Sequence, residues 1–329
     1  MNFRNLVCMS AIATCVAFSA LAQGLPHANK PEDIGFSSER LKRVTTAFQA
    51  DVDKGAIAGV VVLIARNGKL AYCEAIGFQD REKKLPMHTD AIFRIASMSK
   101  PITTVAIMML VEEGKIQIED PIWVYLPEMK GLQVGVEKTD AAGGNAELAL
   151  EPAQREMTIQ DLLRHTSGLT YGVFGKSLVK QKYNEANLFD PNQTLAEFIS
   201  KLSKLPLAHQ PGTMWDYSMS TDVLGRVVEV ASGIPFDQFV AERIAKPLGL
   251  SDTGFYVPAP ETGRIAEPQI DPETQKRPPV IDVTKRPNWL SGGGGMVSTA
   301  FDYVRFGQML LNGGELDGMR LARCGSSSD

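Results

Sequence analysis

Leu41, Val44, Phe48 and Val52 recur at helical spacing behind Ser37-Ser38, and Gly55 follows them. That spacing predicts an amphipathic helix with a serine start and a glycine stop. Two β-branched runs, IAGVVVLIAR and KLAYCEAIGF, flank Asn67-Gly68. Both residues of a tight hairpin turn need positive φ, which Asn and Gly tolerate, so this pair predicts a β-hairpin. AIFRIA predicts a short extended run. SMSKPITTVAIMMLVEEGK then predicts a helix with Pro101 near its start. Between 131 and 156 the periodicity fails, and TDAAGGNAELALEPAQ reads as a surface loop. MTIQDLLRHTSGL restores a short helix, and helical spacing returns over 193–204, 219–232 and 235–247. Residues 256–288 hold seven of the nineteen prolines and read as loop, and SGGGGMVSTAFDYVRFGQMLLNGGELDG reads as turn, helix and turn. Strands come first, then a long helical middle. The order implies an α+β fold: a discontinuous, incomplete sheet region over 23–130 and 290–329, and a mainly helical region over 131–289.

Composition narrows the function classes. Apolar residues make up 44% of the 329 positions and charged residues 22%, an ordinary globular balance. The net charge is −4 with no basic block, which argues against a nucleic-acid partner, because phosphate neutralisation needs clustered Lys and Arg. Residues 1–22 have the layout of a secretory leader: Arg4, an uncharged apolar stretch from Leu6 to Phe18, then Ala20-Leu21-Ala22 before Gln23. The expectation is a periplasmic or secreted protein with no membrane span after cleavage. Cleavage would leave Cys73 and Cys324, and nothing in the sequence indicates whether they pair.

The candidate chemistry begins with Ser97-Met98-Ser99-Lys100, an S-x-x-K placed where an extended run gives way to a helix. Three residues is nearly one helical turn, so Ser97 and Lys100 project to the same side. A serine hydroxyl is a weak nucleophile until a neighbouring base takes its proton, and a lysine can be that base when its ammonium form is destabilised. Tyr217 lies downstream in PGTMWDYSMS; a phenol beside a lysine can shuttle a proton to a leaving group. Competing readings find less support. The histidines, His27, His88, His165 and His209, have no zinc-ligand spacing. No G-x-S-x-G elbow accompanies Gly292–Gly295, which reads as a tight turn with close backbone approach. No dinucleotide or P-loop fingerprint occurs, and no cofactor is implied. The Met108–Met109 pair reads as core packing.

Four segments in order carry a resemblance: FRIASMSKPIT, TIQDLLRHTSGLTYG, PGTMWDYS with VLGRVVEVASGIP, and GGGGMVSTAFDYVRFGQMLLNGGELDG. Over roughly residues 30–323 the chain resembles the serine β-lactamase-like superfamily of class C β-lactamases, D,D-peptidases and family VIII carboxylesterases. The resemblance implies an antiparallel sheet flanked by helices with a helical insertion. It implies Ser97 as acylated nucleophile, Lys100 as its base partner, Tyr217 as general acid/base, and the Ser97 amide as half of an oxyanion hole. It gives His165 a structural role. Two departures bear on substrate. The tyrosine motif of β-lactamases is usually Y-x-N, and Met219 stands where the Asn would be. Loss of that amide partner favours esters. The late K-T-G, H-x-G or W-G-G motif is absent, Trp289 is followed by Leu290, and the chain ends in ARCGSSSD. The expectation is a chain truncated or frameshifted before its late strands. Its small-molecule substrate is then a short-chain ester, with a β-lactamase or D,D-peptidase, or a non-catalytic penicillin-binding-like protein, as alternatives.

Overall fold

A computed structural model of the chain describes residues 24–138 and 146–322. The leader-like segment 1–22 and Cys324 lie outside the described residues. Helix α1 (Ser38–Asp53) starts on Ser37, whose hydroxyl accepts the Arg40 amide, and buries Leu41 and Val52. Strands β1 (Gly59–Arg66) and β2 (Lys69–Asp80) pair antiparallel around Asn67 and Gly68, with φ of 54° and 70°. The hairpin thus forms where the Asn-Gly signal places it. A short β3 (Leu85–Pro86) extends the sheet in the order β1-β2-β3, and α1 packs on β2.

Strand β4 (Phe93–Arg94) leads through a 3-10 turn, Ala96–Met98, into α2 (Ser99–Glu112). Ile102, Val105, Ala106, Ile107, Met109 and Leu110 of α2 are all buried. Apolar residues on so many sides suit a helix surrounded by protein rather than one resting on a surface.

Residues 131–156 are not a loop. Strands β5 (Gln133–Lys138) and β6 (Glu147–Pro152) form an antiparallel hairpin. Only Val134 of these two strands is fully buried, so no alternating apolar face marks them, and Gly, Ala and Glu are weak strand formers. Helix α3 (Ile159–Leu163) follows, capped by Thr158. A further helix, α4 (Leu178–Glu185), buries only Val179 and Tyr183, too few for the sequence pattern to reveal it. Helices α5 (Leu195–Leu202) and α6 (Ser220–Ser232) lie where the periodicity predicts, and α6 packs against α2, α3 and α5. The stretch 235–247 becomes one continuous helical segment: α7 (Phe236–Phe239), a π-helical turn over Val240–Ala245, and α8 (Lys246–Leu248).

Strand β7 (Val297–Ser298) returns to pair antiparallel with β4. Helix α9 (Ala300–Leu311) then packs on β1, and a small hairpin of β8 (Glu315–Leu316) and β9 (Met319–Arg320) follows. Among the described residues no helix is long and apolar enough to cross a membrane.

Helix α9 braces the turn before α2, since the Tyr303 hydroxyl donates to the Met98 carbonyl at 3.0 Å. The start of α9 is itself held by Asp302. Its Oδ2 accepts the Asp252 amide at 2.8 Å and the Thr253 hydroxyl at 2.9 Å, while Oδ1 is buried without a partner. Burial pushes this carboxyl up to about 6. The folded state therefore holds a proton between pH 4 and 6 that the unfolded chain releases, and stability falls as pH rises through that window. Asp302→Asn keeps an acceptor and cannot ionise. Its stability relative to wild type should rise by about 2 kcal/mol from pH 4 to pH 8 in urea melts. A pH-independent difference would show that burial does not govern this carboxyl.

Candidate active site

The nucleophile candidate stands on a strained step. Ala96 has φ 45°, a conformation uncommon outside glycine, directly before Ser97. The step lifts Ser97 into solvent at the head of α2. The Ser97 amide takes no protein acceptor among the described residues, which leaves it free for an anionic oxygen at the cleft. Three residues on, Lys100 lies on the same side of the helix. Its Nζ donates to Ser97 Oγ at 3.3 Å and to the Gly293 carbonyl at 2.6 Å. It also lies 4.6 Å from the centroid of the Tyr217 ring. The Tyr217 hydroxyl is 2.5 Å from Ser97 Oγ. Ser97, Lys100 and Tyr217, separated by up to 120 residues in sequence, thus form one hydrogen-bonded group.

The glycine run is part of this site rather than only a turn. Helix α2 holds it at three points: Lys100 on the Gly293 carbonyl, Thr103 Oγ1 donating to the Gly292 carbonyl at 2.9 Å, and Ser99 Oγ accepting the Met296 amide at 3.1 Å. Asp222 of α6 holds it from below. Its Oδ1 accepts the Ser291 hydroxyl at 2.5 Å and the Gly293 amide at 3.1 Å. Gly293 therefore links the buried Asp222 side chain, through its amide, to Lys100 Nζ, through its carbonyl. Burial pushes the Asp222 carboxyl up, against the opposing effect of Ser291, Gly293 and the Lys100 charge. Tyr171 stands nearby, its phenol pushed up by burial and by the Asp222 charge.

Met219 is fully buried in the main core. The motif position thus offers the cleft no side chain at all, amide or otherwise. His165 belongs to the wall behind Tyr217, with ring centroids 5.0 Å apart. The sequence reading leaves Asp222 unmarked and takes Gly293 only as part of a tight turn; the polar Asp222 within the apolar spacing of α6 is the one signal that points to it.

A cavity of about 280 Å³ opens at Ser97, walled by Tyr171, Phe174, Phe189, Tyr217, Trp289 and Gly294. It shares Phe189, Ile281, Trp289 and Ser291 with an adjoining cavity of about 690 Å³ that runs toward Asn192, Val280 and Pro287. The lining at Ser97 is mostly aromatic and aliphatic with a few converging polar groups, a common form for small-molecule sites, while the adjoining cavity adds Asp282, Lys285 and Arg286 beside its apolar walls.

Comparison with known proteins points to one family. The family model described as Beta-lactamase matches residues 44–324. Protein Rv1367c of Mycobacterium tuberculosis is 39% identical over 273 residues, covering 82% of this chain and 66% of that protein. Esterase EstB of Burkholderia gladioli is 33% identical over 284 residues, covering 80% of this chain and 68% of its own length. Among solved structures, EstCE1, described as a hydrolase with promiscuous acyltransferase activity, superposes with a TM-score of 0.69 at 30% identity, covering 85% of this chain and 74% of that one. The chain thus spans about two thirds of the curated relatives it matches.

Proposed function

The chain belongs to the Beta-lactamase family, and from that premise we propose that it is an exported serine hydrolase that cleaves carboxylic esters through an acyl-enzyme on Ser97. The observation that carries this reading is the Ser97 hydroxyl held 2.5 Å from the Tyr217 phenol and 3.3 Å from Lys100 Nζ. Ser97 Oγ attacks the ester carbonyl, and its proton passes to the Lys100–Tyr217 pair. The carbonyl oxygen takes the negative charge beside the Ser97 amide. The tetrahedral species collapses, the C–O bond to the alcohol breaks, and Tyr217 returns the proton to the departing alkoxide. Water then adds to the acyl-enzyme, loses a proton to the same pair, and releases the acid with Ser97 restored.

Esters are favoured over β-lactams because no side-chain amide stands at Met219 to bind a lactam's amide substituent. The relative EstB, named as an esterase, supports the same choice. The cavity at Ser97 suits a short acyl group, and the larger adjoining cavity, with Phe189, Val280, Ile281 and Trp289 in its wall, suits a bulkier alcohol. Export rests on the leader-like residues 1–22.

Intact-mass measurement on protein recovered from outside the cytoplasm tests both parts. The mature chain should begin at Gln23 and gain one fluorophosphonate adduct, absent in Ser97→Ala. Turnover of p-nitrophenyl butyrate should exceed that of nitrocefin, and benzyl butyrate should outrun ethyl butyrate by about tenfold in kcat/KM, as an apolar ring buried in the larger cavity would give. Nitrocefin turnover above ester turnover would reverse the substrate assignment, and a chain retaining residues 1–22 would remove the export reading.

A further inference from the structure

His165 lies outside the Ser97–Lys100–Tyr217 group, yet it grips both neighbours of Tyr217. Its carbonyl accepts the Asp216 amide at 3.0 Å, and its Nδ1 accepts the Ser218 amide at 3.3 Å. Tyr217 is thus pinned on each side by one residue. The ring stacks at a tilt on the Tyr217 ring, 5.0 Å between centroids, with Trp215 at 6.2 Å behind it. From this clamp we infer that His165, as a neutral imidazole protonated on Nε2, is a positioning residue that sets the Tyr217 hydroxyl against Ser97.

Two independent features support the assignment. The first is backbone strain. His165 has φ 56°, a left-handed conformation that non-glycine residues adopt at a cost. In this conformation the residue turns its carbonyl and its imidazole toward the same segment. The loop is fixed in that shape from outside. Asp161 accepts the Thr166 hydroxyl on Oδ1 and the Thr166 amide on its carbonyl, and Arg155 pairs with the Asp161 carboxylate at 2.6 and 2.9 Å.

The second feature is a chain of buried hydroxyls that ends on the ring. The Leu169 amide donates to Ser167 Oγ at 3.2 Å. Ser167 and Ser220 are 2.8 Å apart, Ser220 and Ser218 2.7 Å, and Ser218 Oγ is 3.2 Å from His165 Nδ1. All three serines are fully buried. The arrangement that gives each hydroxyl one donor role runs Ser167 to Ser220 to Ser218 to Nδ1. An Nδ1 that receives both an O–H and an N–H must carry its lone pair, so the tautomer is fixed by the surroundings. Burial and the Lys100 charge hold the imidazole down at about 4, against the pull of Asp216, so the acceptor persists across the working pH range.

This inference rests on Tyr217 serving as the proton donor proposed above, and the test separates the two. His165→Gly relieves the left-handed backbone and removes the acceptor. His165→Phe keeps the ring packing and removes the acceptor. His165→Asn keeps an acceptor oxygen near the Nδ1 position and suits the backbone. Each is assayed on p-nitrophenyl butyrate across pH, well below its melting temperature. The Gly and Phe variants are expected to lose about thirtyfold or more in kcat with KM within about twofold, since a misplaced donor weakens the transition state and not ground-state binding. The kcat–pH profile should change shape in both. Charged and titratable groups facing the ring are Lys100, Asp216 and Tyr217, so Asp216→Asn serves as the control for that change. His165→Asn should keep kcat within about threefold and the wild-type profile. Wild-type kcat in the Gly or Phe variant, or equal losses in all three that track melting temperature, would overturn the assignment. A wild-type protein without esterase turnover would instead sink the reading on which it rests.

Discussion

Ser97→Ala is expected to reduce ester turnover by about 10⁴-fold or more while leaving the fold intact. The hydroxyl is solvent-exposed and, among the described residues, makes hydrogen bonds only to Lys100 and Tyr217, both of which reach other partners or water when it is removed. No cavity is created and no buried polar atom is orphaned, so the melting temperature should shift by no more than about 2 °C. Lys100→Ala should cost nearly as much in kcat. It removes the group that touches the nucleophile and anchors the Gly293 carbonyl, and Tyr217 alone then faces the hydroxyl. Because the three side chains form one hydrogen-bonded unit, the losses do not add: the Ser97→Ala/Lys100→Ala double variant should be no slower than Ser97→Ala. The measurement is p-nitrophenyl butyrate turnover normalised to correctly folded protein by circular dichroism. Undiminished activity in Ser97→Ala would place the nucleophile elsewhere. Additive losses in the double variant would mean that serine and lysine act at separate steps.

Parts of this machinery could be read from the chain because the relevant residues are close in sequence. Asn67-Gly68 names its own turn, and the hairpin follows from two dihedral angles. Ser97 and Lys100 are one helical turn apart, so the helix alone makes them neighbours. Tyr217 needed the resemblance, since nothing local joins it to Ser97 across 120 residues. The Asp222–Gly293 contact spans 71 residues and was not visible, because a glycine carries no pattern and its use here is the absence of a side chain. The hairpin of residues 133–152 was missed for the opposite reason. Its strands are held by backbone pairing with little apolar burial, and hydrophobic spacing reports burial, not pairing. The resemblance gives His165 only a structural role, and the strain that turns its carbonyl and ring toward one segment is a backbone property without a sequence signature.

The Asp222–Gly293–Lys100 connection gives the second large effect, and its steric terms are explicit. A Cβ on Gly293 would lie 2.6 Å from Asp222 Oδ2, far inside van der Waals contact. The carboxylate cannot retreat, because it is fully buried and its Oδ1 holds Ser291 and the Gly293 amide. In Gly293→Ala the loop must therefore move, and with it the carbonyl that receives Lys100 at 2.6 Å. Displacement of the Lys100 amino group by a fraction of an ångström to one ångström is expected to lower kcat by about 10²-fold. The same overpacking should cost about 1–3 kcal/mol of stability. Gly294 provides the control within the same turn. A Cβ there would lie 3.8 Å from its nearest neighbour, the Ala96 carbonyl carbon, an ordinary contact. Neither residue has a positive φ, so the comparison isolates the steric effect from backbone freedom. Gly294→Ala should keep kcat within about threefold. Asp222→Ala supplies the complementary result. It relieves the clash but strands the Ser291 hydroxyl and the Gly293 amide, so it should lower stability by about 2–4 kcal/mol, and kcat should fall with it. Adding Asp222→Ala to Gly293→Ala should then recover none of the lost kcat, because the peptide that holds Lys100 needs the carboxylate as much as it needs the space. Equal activity in the Gly293 and Gly294 variants, measured with p-nitrophenyl butyrate alongside urea melts, would separate the buried carboxylate from the placement of the lysine.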